Sequence, residues 1–256
     1  MRDSTFALSA FLNAGYREEA RAWRDWLLRA AAGTPEHLRT MYRVDGSRHI
    51  DQHDLSWLQG YEGASPVRVG NPAAKQFQLD IYCELLDSLH LCAQVGLDDR
   101  PWDIAIEQAI VAHLEKVWQR PDQGIWETRG SPKHFTYSKV MAWVGVDRFL
   151  KAARIDVARR RELETLRENI HRRICRDGFS TSRNSFVQSF GSDALDASLL
   201  LLPLVGFLPI NDARIAGTIA AIHVHGPAYR FPRAGTENGV ASAVVEAAAR
   251  ASRLLA

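Results

Sequence analysis

The stretch Gly124-Ile-Trp-Glu-Thr-Arg129 sets a carboxylate directly after an indole, in a polar segment between two helical patterns. An aromatic ring packs well on a pyranose, and its apolar bulk helps hold a neighbouring carboxyl protonated by removing water from it. Glu127 is therefore a candidate general acid, with Trp126 as a sugar-facing ring. The spacing also fits a plainer arrangement, in which Trp126 plugs the core and Glu127 pairs with Arg129 at the surface. At the start of the chain, Arg2-Asp3 precede the apolar run Phe6 to Leu12. A guanidinium beside a carboxylate suits paired hydrogen bonds to sugar hydroxyls. Asp3 fits equally well as a helix cap, with Arg2 solvated. His49 and His53 stand four apart but lie in loop-like sequence without a matching glutamate and third ligand, so no metal site is expected. No Gly-x-Ser-x-Gly is present to mark a nucleophile elbow.

The elements that must hold these residues are helical. Glu18 to Ala32 places Ala22, Trp23, Trp26, Leu27 and Ala30 on one stripe, and Gly33 with Pro35 stops it. Ala73 to Val95 repeats Phe77, Ile81, Leu85, Leu89 and Cys92 at helical spacing, which predicts about six turns ending at Gly96. Further helices are predicted over Asp103 to Trp118, Ser138 to Ala153, Asp156 to Cys175, Asp193 to Phe207 and Asp212 to Ile222, several of them opening on a Ser or Asp cap. Thr34 to Asn71 reads as a long polar loop with a short strand-like piece at Leu38 to Val44. Loops of this length in a compact domain are usually functional. Helix and polar loop alternate without a βα pattern, so the expected class is all-α, an array of antiparallel helical hairpins.

Composition narrows the partners. The 256 residues are 46% hydrophobic and 24% charged, with Lys+Arg 32 against Asp+Glu 30, which predicts a soluble globular chain. A formal charge of +2 gives no field that favours nucleic acid as the main partner. The longest apolar run, Ala197 to Phe207, is broken by Ser198, Pro203 and Gly206, so no membrane span is expected. No secretory signal is legible at the start, and Cys83, Cys92 and Cys175 form no CxxC pair. The expected compartment is a reducing cytoplasm.

Several segments together resemble the bacterial branch of glycoside hydrolase family 15, which contains glucoamylases, glucodextranases and trehalases. They are Arg2-Asp-Ser-Thr-Phe6, Ala22-Trp-Arg-Asp-Trp-Leu27, Gly60-Tyr-Glu-Gly63 with Pro66-Val-Arg-Val-Gly-Asn71, Gln78-Leu-Asp-Ile-Tyr82, Gly124-Ile-Trp-Glu127, His134-Phe135, Ser138-Lys-Val-Met-Ala-Trp143, Asp147-Arg148, and the run from Leu195 to Pro209. The match covers roughly residues 2 to 223. It implies an (α/α)6 toroid with a pocket at one mouth, and inverting release of terminal α-linked glucose from maltooligosaccharide, starch or trehalose without a cofactor. By motif position Glu127 matches the family's general acid, Arg2 and Asp3 its glucose-binding pair, and Trp126 its pocket tryptophan.

The departures from the family pattern are as specific as the agreements. The resemblance implies a second carboxylate in a Gly-Glu-Gly-Ala-Phe motif after Gly217 to Ile222, and the sequence has no such motif. Glu237 and Glu246 lie downstream without it. A partial toroid, incomplete at both ends, is expected over residues 1–234, followed by an atypical Ala-rich tail over 235–256. Impaired catalysis follows as an expectation, with a non-catalytic carbohydrate-binding module as the alternative. Cys83 stands where relatives usually have Gly. Several hundred Å² of apolar helix face left uncovered would cost on the order of 10 kcal/mol, so self-association is a further expectation.

Overall fold

The computed structural model describes residues 1–97, 101–152 and 155–225, apart from the side chains of 101–103 and 224–225. The predicted tail, with Glu237 and Glu246, lies outside the described residues. Helix α1 (Arg2–Ala14) is followed by α2 (Arg17–Ala31), α3 (Asp80–Gln94), α4 (Pro101–Val117), α5 (Thr136–Ala152), α6 (Val157–Asp177) and α7 (Ala213–His225). Two short antiparallel ladders interrupt them: β1 (His53–Asp54) pairs with β2 (Arg68–Val69), and β3 (Phe179–Ser180) with β4 (Ser185–Phe186). The all-α expectation holds.

Alternate helices share a layer. α1 packs on α3 and α3 on α5, while α2 covers α1 and α3, α4 covers α3 and α5, and α6 backs α5. The sequences fit these places. α5 is buried almost throughout, from Thr136 to Leu150, as a helix enclosed by neighbours must be. α6 buries only Leu163, Ile170 and Ile174 and gives its remaining surface to charge. Close approach of α3 and α5 needs Gly145, where an added Cβ would stand 3.1 Å from Leu86 and 3.2 Å from the Cys83 sulfur. Cys83 therefore fills the space opposite a glycine.

The caps explain several boundaries. α1 ends at Gly15, left-handed at φ 82°, with Tyr16 N–H bonded to the Phe11 carbonyl at 2.9 Å and Gly15 N–H to Leu12 at 3.2 Å. Asp156 caps α6 by accepting from Arg159 N–H at 2.8 Å. Asp3, by contrast, caps nothing: it lies inside the first turn of α1, where its charge still favours the helix N-terminus.

Four predicted elements differ. The segment before Asp80 is not helical. Asn71 instead caps a single 3₁₀ turn at Pro72–Lys75, and the chain runs extended to α3, which has about four turns. Asp193 to Phe207 forms a 3₁₀ turn at Ala197–Leu201 and then tight turns, because Pro203 lacks an N–H and Gly206 sits at φ 78°. The face of α2 is rotated from its predicted stripe, leaving Ala22 exposed and burying Arg24 to 1%. Trp23 and Trp26 flank that face and donate from Nε1 to the carbonyls of Ser4 (2.7 Å) and Val44 (2.9 Å). The long loop is real, but its strand pair is β1 and β2, not Leu38 to Val44.

Candidate active site

The turn carrying Glu127 is closed at its base by Asp122 and Lys133, which exchange backbone hydrogen bonds of 2.9 and 2.8 Å. The buried Asp122 carboxylate also accepts from Leu79 N–H at 2.9 Å, fixing this base to the start of α3. Within the turn, Thr128 donates from its N–H (3.1 Å) and its hydroxyl (2.9 Å) to the Gln123 carbonyl. Gly124 is left-handed at φ 67°, and an added Cβ would stand 2.8 Å from the Phe135 ring. Glu127 itself has φ 52°, an uncommon conformation for a residue with a side chain, and one that surrounding bonds must hold.

Those bonds come from distant sequence. Arg2 is 8% exposed and grips three partners: Asp80 Oδ2 from Nε at 2.7 Å, Gln78 Oε1 from Nη2 at 2.8 Å, and the Ile125 carbonyl from Nη1 at 3.0 Å. Its Nη2 also lies 2.6 Å from Asp80 Oδ2. Gln76 donates from Nε2 to the carbonyls of Glu127 (3.3 Å) and Thr128 (3.1 Å). The start of α1, the start of α3 and the acid turn are thereby one assembly.

The Glu127 side chain is half-buried, and loss of water raises its pKa above the usual carboxylate range. Arg2 pulls the other way, Asp3 adds to the rise, and the nearby Asn71 side chain lowers it. Among the described residues no ion pair or hydrogen bond joins Glu127 to Arg129, so the plainer surface pairing is not what is observed. Trp126 is half-buried against the core and donates from Nε1 to both Asp196 oxygens, at 2.9 and 3.0 Å. It thus packs on the core with a polar tether while staying partly exposed. Asp3 is exposed, next to the buried Arg2.

Sequence reasoning assigned no role to Asn71, Gln76, Gln78, Asp80 or Asp196, although Asn71, Gln78, Asp80 and Asp196 fall inside the segments that carried the resemblance. Beneath the site Glu84 lies wholly inside, bonded by the Tyr137 hydroxyl at 2.9 Å and the Thr5 hydroxyl at 3.2 Å. Burial, with Asp80 alongside, pushes its pKa up to about 8. Burial likewise raises Asp122 to about 6 and lowers Lys139 to about 8.

Two open cavities lie along the segment before α3, and neither is lined by Arg2, Asp3, Trp126 or Glu127. An open cavity of about 310 Å³ is lined by Asp51, Gln52, Asn71, Pro72 and Lys75, so Asn71 belongs both to it and to the surroundings of Glu127. A second, of about 350 Å³, shares Asp51 and Lys75 and extends towards Arg39 and Arg48. The Asp51–Lys75 ion pair, 2.7 Å, stands between them. His49 lines this second cavity, and His53 is exposed on β1 with Nδ1 3.3 Å from the Asp51 carbonyl. No helix among the described residues is long and apolar enough to cross a membrane.

A carboxyl kept short of water beside a guanidinium and an indole suits glycosidic bond chemistry, and the helical frame around it is shared with solved glycosidases. One in its wild-type form is 25% identical with a TM-score of 0.53, covering 64% of this chain and 45% of that one. A variant glycosidase solved in complex with glucose superposes equally, at TM-score 0.53 and 25% identity over 64% of this chain and 45% of its own. Residues 1–225 match the model for glycosyl hydrolases family 15, and the chain belongs to that family. It is 34% identical to the trehalase of Thermoplasma volcanium over 94% of this chain and 39% of that protein. It is 39% identical to the trehalase of Mycobacterium tuberculosis over 87% of this chain and 33% of that one. The chain thus spans well under half the length of these curated relatives.

Proposed function

We propose that this chain supplies the proton donor and the glucose-binding surface of a hydrolase acting on terminal α-linked glucose, with trehalose as the first substrate to test and maltooligosaccharide or starch ends next. The observation that carries this reading is the half-buried Glu127 carboxyl in a left-handed turn tied to Arg2, with desolvation raising its pKa and with Asn71, which lines the open cavity, close by. Glu127 protonates the leaving glycosidic oxygen. Asp3, exposed beside Arg2, offers carboxylate oxygens to sugar hydroxyls. The bonds described for Arg2 engage Nε, both Nη2 hydrogens and one Nη1 hydrogen, so one N–H is left to join Asp3. Trp126 borders the sugar with its ring. The frame is read as part of an (α/α)6 toroid, and the chemistry uses no cofactor.

In an inverting hydrolysis a second carboxylate, about 6.5–9.5 Å from the acid, activates the attacking water. The sequence lacks the motif that the family resemblance implies for that group, so turnover by this chain alone is expected to be slow relative to binding. That same absence favours the second reading, a carbohydrate-binding helical module without turnover. Glucose release from trehalose, maltose and soluble starch, measured beside trehalose binding for the wild type and Glu127→Gln, separates the two. The hydrolase reading expects slow release that disappears in the variant while binding persists; binding with no release in either protein supports the module.

A further inference from the structure

We propose that Gln76 is a positioning residue for Glu127, holding the backbone of the acid turn in its left-handed conformation through a side-chain relay that runs back through Gln78 to Arg2. This rests on the reading of Glu127 as the acid. Arg2 Nη2 donates to Gln78 Oε1 at 2.8 Å, Gln78 Nε2 donates to Gln76 Oε1 at 2.9 Å, and Gln76 Nε2 donates to the carbonyls of Glu127 and Thr128 at 3.3 and 3.1 Å. The polarity of this relay is fixed at both ends. A guanidinium only donates and a backbone carbonyl only accepts, so each amide has one orientation that satisfies both neighbours. Turning either amide over would set donor against donor or acceptor against acceptor.

Glutamine is the residue type this place demands. One Nε2 reaches two successive carbonyls, which fixes the peptide between Glu127 and Thr128 and with it the direction in which the Glu127 side chain leaves the backbone. Glu127 has φ 52° without being glycine, so an unrestrained turn would relax towards commoner backbone geometry and carry its carboxyl with it. Gln78 is 1% exposed, and Arg2 is anchored on Asp80, so the relay starts from a rigid point. Gln76 reaches only backbone atoms of the acid turn, which makes its role one of position and not of proton transfer.

The test follows the Glu127 carboxyl by carbon NMR in the full chain with glutamate labelled at Cδ, its resonance assigned by its loss in Glu127→Gln. Arg2, Asp3, Asn71 and the Met1 amino group all act on this carboxyl, and none of them is changed in the variants compared. Gln76→Met, close in shape and unable to donate, and Gln76→Leu, shorter and likewise uncharged, both cut the relay and leave the Arg2–Gln78 bond in place. In each, the turn opens to water and the Glu127 titration midpoint is expected to fall by about half a pH unit or more. Where the chain releases glucose, kcat is expected to fall roughly 10- to 100-fold with KM little changed. An unchanged Glu127 titration in whichever of the two variants keeps the wild-type unfolding midpoint overturns the inference. The titration decides it even for a chain that releases no glucose, whereas equal release by wild type and Glu127→Gln contradicts the acid assignment alone.

Discussion

The guanidinium of Arg2 donates to the carbonyl of Ile125 at 3.0 Å, two residues before Glu127 and more than 120 residues along the chain. The same guanidinium is paired with Asp80 at the start of α3. The residue expected to hold sugar is thereby also a strut for the residue expected to protonate it, and the two roles compete for its hydrogens.

Asp80 tests the strut. The Arg2–Asp80 pair is buried, with Asp80 at 0% exposure. Removing one member of a buried pair leaves the other charge without compensation, at about 3–5 kcal/mol. Asp80→Ala is expected to lower unfolding stability by that amount in urea titrations. A loss below about 1 kcal/mol, the ordinary value for a surface pair, would remove the strut from the account.

Glu84 sets a pH dependence. Its pKa is raised by burial to about 8, while in the unfolded chain it titrates near 4.5. Between these values the native state keeps a proton that the unfolded state has lost, so stability falls as pH rises, by about 1.4 kcal/mol per pH unit while the difference is complete. The contribution is fully present below pH 4.5 and lost through pH 8. Glu84→Gln, which cannot ionise, is expected to flatten the decline of unfolding stability between pH 5 and pH 8; the same slope as wild type would show that Glu84 is not protonated inside.

Trp126 is tethered through its indole N–H to the buried Asp196, which also accepts from the Ser198 N–H at 2.8 Å. Trp126→Phe keeps most of the ring and removes that donor. The expected cost is about 1–3 kcal/mol in chemical denaturation. Asp196→Ala releases the ring as well and is expected to weaken trehalose binding; binding equal to wild type would separate the indole from the sugar site.

Gly124 couples the acid turn to Phe135. A side chain there meets the ring at 2.8 Å and must also adopt φ 67°, so Gly124→Ala is expected to destabilise by more than about 1 kcal/mol and to reduce any glucose release. Differential scanning calorimetry beside the activity assay reads both effects.

Local signals were legible in the sequence, and contacts across distance were not. α6 could be placed because Asp156 is a cap and the apolar positions repeat at helical spacing. Asp193 to Phe207 misleads for a related reason: its leucines have helical spacing, yet Pro203 and Gly206 forbid the helix. Arg24 is polar by type and buried by place, which turned the predicted face of α2. The acid turn stood out because an indole and a carboxylate are adjacent in sequence. Gln76 did not, because its partners lie 51 and 52 residues away and a glutamine in a loop carries no signal of its own.

The most direct test is the rate of glucose release from trehalose as a function of pH, for the wild-type chain and for Glu127→Gln. A general acid acts while protonated, so the wild-type rate is expected to fall as pH rises through the raised Glu127 pKa. Glu127→Gln is expected to lose about 100-fold or more where the wild-type acid is protonated, with the gap narrowing as pH rises through its pKa. Equal rates in the two proteins, or a wild-type rate that climbs through that range, would contradict Glu127 as the proton donor.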